Sequence, residues 1–158
     1  MNEPGFDLCL RISPHSHHEK LVNTELAANS RQLIATPAYL AASSAPEKPS
    51  DLSKHRLITH TKRSTSNNWH IRDGSGTRSF HTRGHFLINS GDAMLRAVLN
   101  HGGGGIAMFP TYITARHIRF SALVTVLYNL VMKDYPIHAI TLPSRQVIPK
   151  IKVFLEFL

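Results

Sequence analysis

The sequence predicts an α/β fold with parallel strands. The first observation behind this is the stretch Phe86 to Pro110, FLINSGDAMLRAVLNHGGGGIAMFP, which reads as a complete strand, helix and strand. A helical crossover is the usual way to join neighbouring parallel strands, so a unit this short argues for a parallel sheet. The second is a series of apolar runs of strand length separated by polar turns and short helices. The third is a final amphipathic helix, whose apolar face has to be buried against something.

In chain order, Phe6, Leu8, Leu10 and Ile12 alternate as one face of a strand, with Asp7, Cys9 and Arg11 on the other. Cys9 is the only cysteine and cannot form an internal disulfide, so it reads as a small filler residue in a reducing compartment. A polar loop from Ser13 to Lys20, rich in histidine, leads into Leu21 to Leu26. Leu33 to Ala35 then reads as a strand capped by Thr36-Pro37, and Ala38 to Ala42 as a helical turn. SSAPEKPSDLSKH is a proline-rich surface connection in which Ser50 can cap a brief helix. Leu57 to Thr61 is a strand, Lys62 to Asn68 a polar and mobile stretch, and Asp73 to Gly76 a turn.

The central unit follows. Phe80, Thr82, Gly84, Phe86 and Ile88 have the period of two of one continuous strand, with His81, Arg83 and His85 on its opposite face. Asn89 or Ser90 can accept a hydrogen bond from a first-turn amide, and Asp92 suits the positive end of the helix dipole. Ala93, Met94, Leu95, Ala97, Val98 and Leu99 make the helix apolar almost all round, which predicts burial against a sheet. Gly102 to Gly105 stop it, Ile106 to Phe109 form a strand, and Pro110 opens a short helix. Leu123 to Leu127 and Ile137 to Leu142 are further strands. Pro149 fits the first turn of the last helix, where Ile151, Phe154, Leu155 and Leu158 share a face.

The 158 residues allow one ordinary domain or two small lobes. The longest apolar run, Ala122 to Met132, is too short for a membrane helix and is broken by Asn129, and the start MNEPGFDLC lacks the regions of a signal peptide. Both observations point to the cytoplasm. The net charge of +8 is localised: twelve basic and four acidic residues lie between Gln32 and Lys133, while the two flanks nearly balance. Nucleic-acid binding is one reading of such an excess. The basic residues are scattered, with Lys62-Arg63 the only adjacent pair, and a solvated surface or a positive field drawing in a small anion fits that pattern better.

No chemistry-bearing motif emerges. His15, His17 and His18 lack a cysteine partner or HxxxH spacing, so no metal is assigned. The glycines at 102 to 105 follow a helix and no Lys-Ser/Thr pair follows them, so they are not a phosphate loop. No serine sits in GxSxG, and no catalytic residue or cofactor is assigned. The expectation is a protein that is not an enzyme.

Four segments carry a family resemblance in matching order. NSGDAMLRAVLNHGGGGIAMFP resembles the segment written roughly as NxGDALRAAALAGLGIALLP in the effector-binding domains of LysR-type transcriptional regulators. FDLCLRIS (Phe6 to Ser13), RQLIATPAYL (Arg31 to Leu40) and YPIHAITLPSRQVIPKIKVFLEFL (Tyr135 to Leu158) follow the same family, and Trp69 falls where many members carry a tryptophan. The resemblance covers nearly the whole chain.

It implies a two-lobed, periplasmic-binding-protein-like (type II) α/β domain. Residues 1–31 with about 143–158 would form a partial lobe one, and about 32–142 a complete lobe two with the return strand. The family's DNA-binding winged helix has no counterpart here, so the expectation is a fragment that meets DNA only through a domain it lacks, partnered by a second copy or a full-length relative. The implied ligand is a small-molecule effector held between the lobes. By position that gives Asn89, Ser90 and Gly91, whose free first-turn amides suit a carboxylate; simple capping is the alternative. Asp92 would oppose a strongly anionic ligand. Thr36 matches a hydroxyl position near the family's ligand, or is a turn-stabilising hydroxyl before Pro37. Arg11 can pair a carboxylate ligand or form an ion pair with Asp7 on its own strand face. Family members usually carry a leucine at Gly104, which predicts a lost apolar contact and a modest destabilisation. The competing readings are a fragment of a solute-binding protein of the same fold and a basic nucleic-acid-binding protein.

Overall fold

In the computed structural model, which describes residues 6–12, 20–61, 68–73, 76–82, 84–100, 102–132 and 136–157, the chain divides into two units. One comprises Met1–Asn29 with Asp134–Leu158, the other Ser30–Lys133.

The first unit is a three-stranded antiparallel sheet of order β1 (Leu8–Ile12), β11 (Ile137–Thr141), β2 (Val22–Ala27), with helices α4 (Pro143–Gln146) and α5 (Pro149–Phe157) following β11. The boundary therefore falls near Asp134, before the return strand, where the sequence placed it near Leu142; β11 stands between β1 and β2. Arg11 lies opposite His138, which in turn faces Glu25. The expected Asp7–Arg11 ion pair does not form. Asp7 instead binds Arg145 and Lys150, because the start of β1 meets α4 and α5. On α5, Ile151 is buried and Leu155 half-buried, but Phe154 is 42% exposed, so the anticipated apolar face is only partly covered; Leu158 lies outside the described residues.

The second unit is built on a five-stranded sheet of order β7 (Phe86–Ile88), β4 (Leu57–His60), β8 (Ile106–Pro110), β3 (Arg31–Ala35), β9 (Val124–Val126). β7, β4 and β8 run parallel, whereas β3 is antiparallel to both of its neighbours. The crossover through α2 (Gly91–Leu99) is present, but β4 lies between the two strands it joins. Consecutive residues of these strands point to opposite faces, and both faces are dry. Leu33, Leu57 and Ile106 join Tyr39, Leu52, Trp69 and Val126 on one side. Ile34, Ile58 and Ala107 join Met94, Val98, Phe109 and Leu123 on the other. Burial on two faces explains why the strands read as continuous apolar runs instead of alternating ones. Each such aliphatic side chain contributes about 1.5–3 kcal/mol of transfer free energy.

A hairpin of β5 (Asn68–Asp73) and β6 (Gly76–His81), with β10 (Val131–Met132) beside β5, forms the remaining sheet. The continuous strand expected from Phe80 to Ile88 is thus divided: β6 belongs to the hairpin and β7 to the five-stranded sheet. Gly84 lies in the break, where an added Cβ would run into the Thr59 hydroxyl, a close approach invisible to a period-two pattern. The polar stretch 62–67 and the histidine loop 13–19 lie outside the described residues. Ser50 does not cap. It sits inside a 3-10 helix, Pro49–Lys54, and Asp51 takes the amides of Glu47 and Lys48 at 3.3 and 3.2 Å.

Helix α2 is one-sided, not apolar all round. Met94 and Val98 are buried, while Gly91, Asp92, Ala93 and Arg96 face solvent. Helix α3 (Thr111–Arg119) ends in a Schellman motif, with the Ser121 amide donating to Ile118 O at 2.9 Å and that of Ala122 to His117 O at 2.9 Å. That geometry puts Ser121 at φ 56°, where a Cβ costs energy that glycine avoids. Ser121→Gly is expected to raise stability by about 1 kcal/mol; an unchanged or lowered denaturation midpoint would contradict this.

Candidate functional site

The parallel strands place two helix starts at one edge of the second unit's sheet. His60 and Ile88 are paired at the ends of β4 and β7, and the Thr61 amide donates to Ile88 O at 3.0 Å. Asn89 and Ser90 come next, then α2. At the end of β8, Pro110 pairs with Arg31, and α3 begins at the next residue, its Thr111 amide donating to Ser30 O at 2.9 Å. The carboxyl ends of parallel strands are where ligands collect in open α/β sheets.

Asn89, Ser90 and Gly91 are all exposed. Ser90 is the N-cap: its backbone is extended, and its hydroxyl accepts from the Ala93 amide at 3.4 Å. A contact this long is a weak cap. By helix geometry the Gly91 and Asp92 amides have no intrahelical acceptor and add to the positive end of the dipole. Asp92 points its carboxylate at Arg96, 2.9 Å away, one turn along. Both partners are largely exposed, so the pair adds little stability, but it sets a cation beside the one acid of this helix.

Thr36 is somewhere else. β3 runs antiparallel to β8, with Ile34 opposite Ala107 and Arg31 opposite Pro110, so Thr36 at the end of β3 sits at the opposite edge of the sheet from Ser90. There it caps α1 (Pro37–Ser43), accepting from the Tyr39 amide at 3.2 Å, and it is 8% exposed. Around it is a packed cluster. The Tyr39 hydroxyl accepts the Arg56 amide at 2.9 Å and lies 3.2 Å from His55 Nδ1, and the Arg56 guanidinium donates to Gly103 O at 3.0 Å and lies 5.3 Å from the Tyr39 ring centre. Thr36 thus carries the turn-stabilising role. Arg11 is an exposed residue of the first unit.

One polar group the sequence did not single out lies just inside the α3 start. Gln32 Nε2 donates to Thr114 Oγ1 at 2.7 Å, and the Thr125 hydroxyl donates to Gln32 Oε1 at 3.1 Å. Thr114 is fully buried and also reaches the Pro110 and Thr111 carbonyls at 3.4 and 3.3 Å. These three residues, from β3, α3 and β9, fix the approach of α3 to the sheet. Their separation in sequence, 82 and 93 residues from Gln32, leaves no local signal by which to find them. Among the described residues, no group of three or more His, Cys, Asp or Glu could hold a metal ion.

Comparison with known proteins agrees with this architecture. A family model described as the LysR substrate binding domain matches residues 2–158. The chain is 31% identical over 156 residues to the HTH-type transcriptional regulator PtxR of Pseudomonas aeruginosa, an alignment covering 96% of this chain and 48% of that protein. The chain spans about half the length of the curated relatives it matches. The regulatory domain of CrgA from Neisseria meningitidis superposes with a TM-score of 0.82 at 24% identity, covering 96% of this chain and 72% of that one. The regulatory domain of AphB from Vibrio vulnificus does so at 0.80 and 22%, covering 96% and 74%. These likenesses show the fold, the periplasmic-binding-protein-like (type II) class. The match along almost its full length shows that the chain belongs to the LysR substrate-binding domain family.

Proposed function

We propose that this chain is the ligand-sensing module of a LysR-type transcriptional regulator and that its effector is a small carboxylate engaged at the start of α2 by Asn89, Ser90 and Gly91. The observation that carries this reading is the position of that helix start, at the carboxyl edge of three parallel strands, with weakly capped first-turn amides. The paired Arg96 lessens the repulsion that Asp92 would offer an anion. Arg11 is a second candidate, assigned to the ligand only by the family resemblance.

Membership of a regulator family supports a role in binding, with no catalytic residue, metal or cofactor invoked. Among the described residues no helix is long and apolar enough to cross a membrane. The reading places the chain in the cytoplasm. DNA would be engaged through a further domain, with a second copy or a full-length relative as partner; PtxR, an HTH-type transcriptional regulator, is about twice the length that this chain matches.

Titration of small aliphatic and aromatic carboxylates, followed by calorimetry, tests the site. Binding to the wild type is expected, with Ser90→Ala weakening it about fivefold through loss of one hydrogen bond to a charged group. An equal response in the two proteins removes Ser90 from the site, and the same titration of Arg11→Ala decides Arg11.

A further inference from the structure

Helix α3 shows two different faces. Thr114 is fully buried, and Ile113 and Ile118 pack on the cluster that contains Ile34, Ile58 and Leu123. The other side carries Tyr112, Ala115, Arg116, Arg119 and Phe120, all exposed, within an arc of about 140° at roughly 100° per residue. Two of these are large aromatics in water: Tyr112 is 58% and Phe120 69% exposed. Neither guanidinium has an ion-pair or hydrogen-bond partner among the described residues.

The charge of this face is also uncompensated in the sequence. From Ala93 to Lys133 there is no aspartate or glutamate. Favourable placement at the C-terminal end of the helix dipole accounts for the two arginines. It does not account for the two exposed aromatics beside them. Tyr112, Arg116 and Phe120 are spaced i, i+4, i+8 and so form one ridge, the kind that settles into the groove of a second helix. Tyrosine, phenylalanine and arginine are the side chains enriched where protein surfaces meet.

We propose that the outward face of α3, made by Tyr112, Arg116, Arg119 and Phe120, docks an acidic amphipathic helix of a partner protein. The aromatic ridge fills that helix's apolar groove, and its carboxylates pair with Arg116 and Arg119 in bidentate geometry. A nucleic-acid backbone would use the arginines and leave the aromatics in water, since base pairs of a duplex are closed to them, so protein is the occupant the face favours.

The probe is a synthetic amphipathic helix of leucine, alanine and glutamate with leucines at i, i+3, i+4 spacing, followed by fluorescence anisotropy. Its controls are a twin with every glutamate replaced by lysine and a short mixed-sequence DNA duplex. Saturable, salt-sensitive binding of the acidic helix is expected, with the lysine twin and the double variant Arg116→Ala/Arg119→Ala each at least about tenfold weaker. Tyr112→Ser/Phe120→Ser is expected to weaken it about fivefold or more while leaving its salt dependence in place. All four side chains face solvent, so unfolding transitions matching wild type certify that the variants fold. No binding, or equal binding by the double variants, overturns the proposal. Tighter arginine-dependent binding of the duplex than of the acidic helix also overturns it and assigns the face to nucleic acid.

Discussion

Gly104→Leu is expected to destabilise the chain by about 3 kcal/mol or more, because the site has no room for any side chain. A Cβ there would run into the Ala97 carbonyl of α2 and lie 3.1 Å from Ile58 Cδ1. Neither side can give way. The Gly103 and Gly104 amides hold the end of α2 through Asn100 O at 2.7 Å and Val98 O at 3.3 Å, and the Ile106 amide holds the start of β8 to Arg56 O at 2.8 Å. The sequence alone suggests the opposite, that glycine here forfeits an apolar contact family members make with leucine. The structure corrects that. In this chain α2 lies close enough to the connection that Gly104 is a packing requirement. A fall in thermal midpoint of about 6 °C or more is the expected readout for a chain of this length; a midpoint at or above that of wild type would show that the two elements separate readily.

Tyr39→Phe is the second substitution with a large expected effect, about 1–3 kcal/mol, although it removes one oxygen atom. That oxygen belongs to a side chain that is 1% exposed, and it meets two neighbours, the Arg56 amide, from which it accepts, and Nδ1 of the buried His55. Burial lowers the His55 pKa below its usual 6.5, the Asp51 carboxylate opposes this and Lys54 adds to it. Well above pH 6.5 the ring is neutral in both folded and unfolded chains. As pH falls below that value the unfolded chain takes up a proton that the folded chain resists, so stability declines, then levels off once the depressed folded pKa is passed. His55→Gln removes this contribution and is expected to flatten the curve of denaturation midpoint against pH in that window. A curve parallel to wild type would show that His55 is not its source.

How much was legible in the sequence follows from the range of the forces involved. The helix starts at Ser90 and Pro149 and the apolar runs of β3, β4 and β8 are fixed by neighbours a few residues away, and they were readable. The insertion of β4 between β7 and β8 was not, since strand order depends on which distant surfaces are buried together. The same reason hid the position of Thr36. A hydroxyl before a proline reads identically at either edge of a sheet, and only the antiparallel pairing of Ile34 with Ala107 decides which edge it occupies. The sequence overstates the apolar face of α2, because Leu95, Ala97 and Leu99 are only partly buried, at the margins of its packed face.

The strand pairing also dictates an order of events as the chain leaves the ribosome. Every strand partner of the second unit lies between Arg31 and Met132, so its sheets can close while the C-terminal residues are still unsynthesised. Among the described residues β1 and β2 each pair with β11 alone, from which Leu8 is separated by more than a hundred residues. Their pairing here requires Ile137–Thr141 to appear between them, a long-range closure that is intrinsically slow. Until β11 arrives, the apolar side chains of β1 lack the sheet they join here, and unpaired strand edges of that kind are prone to aggregate.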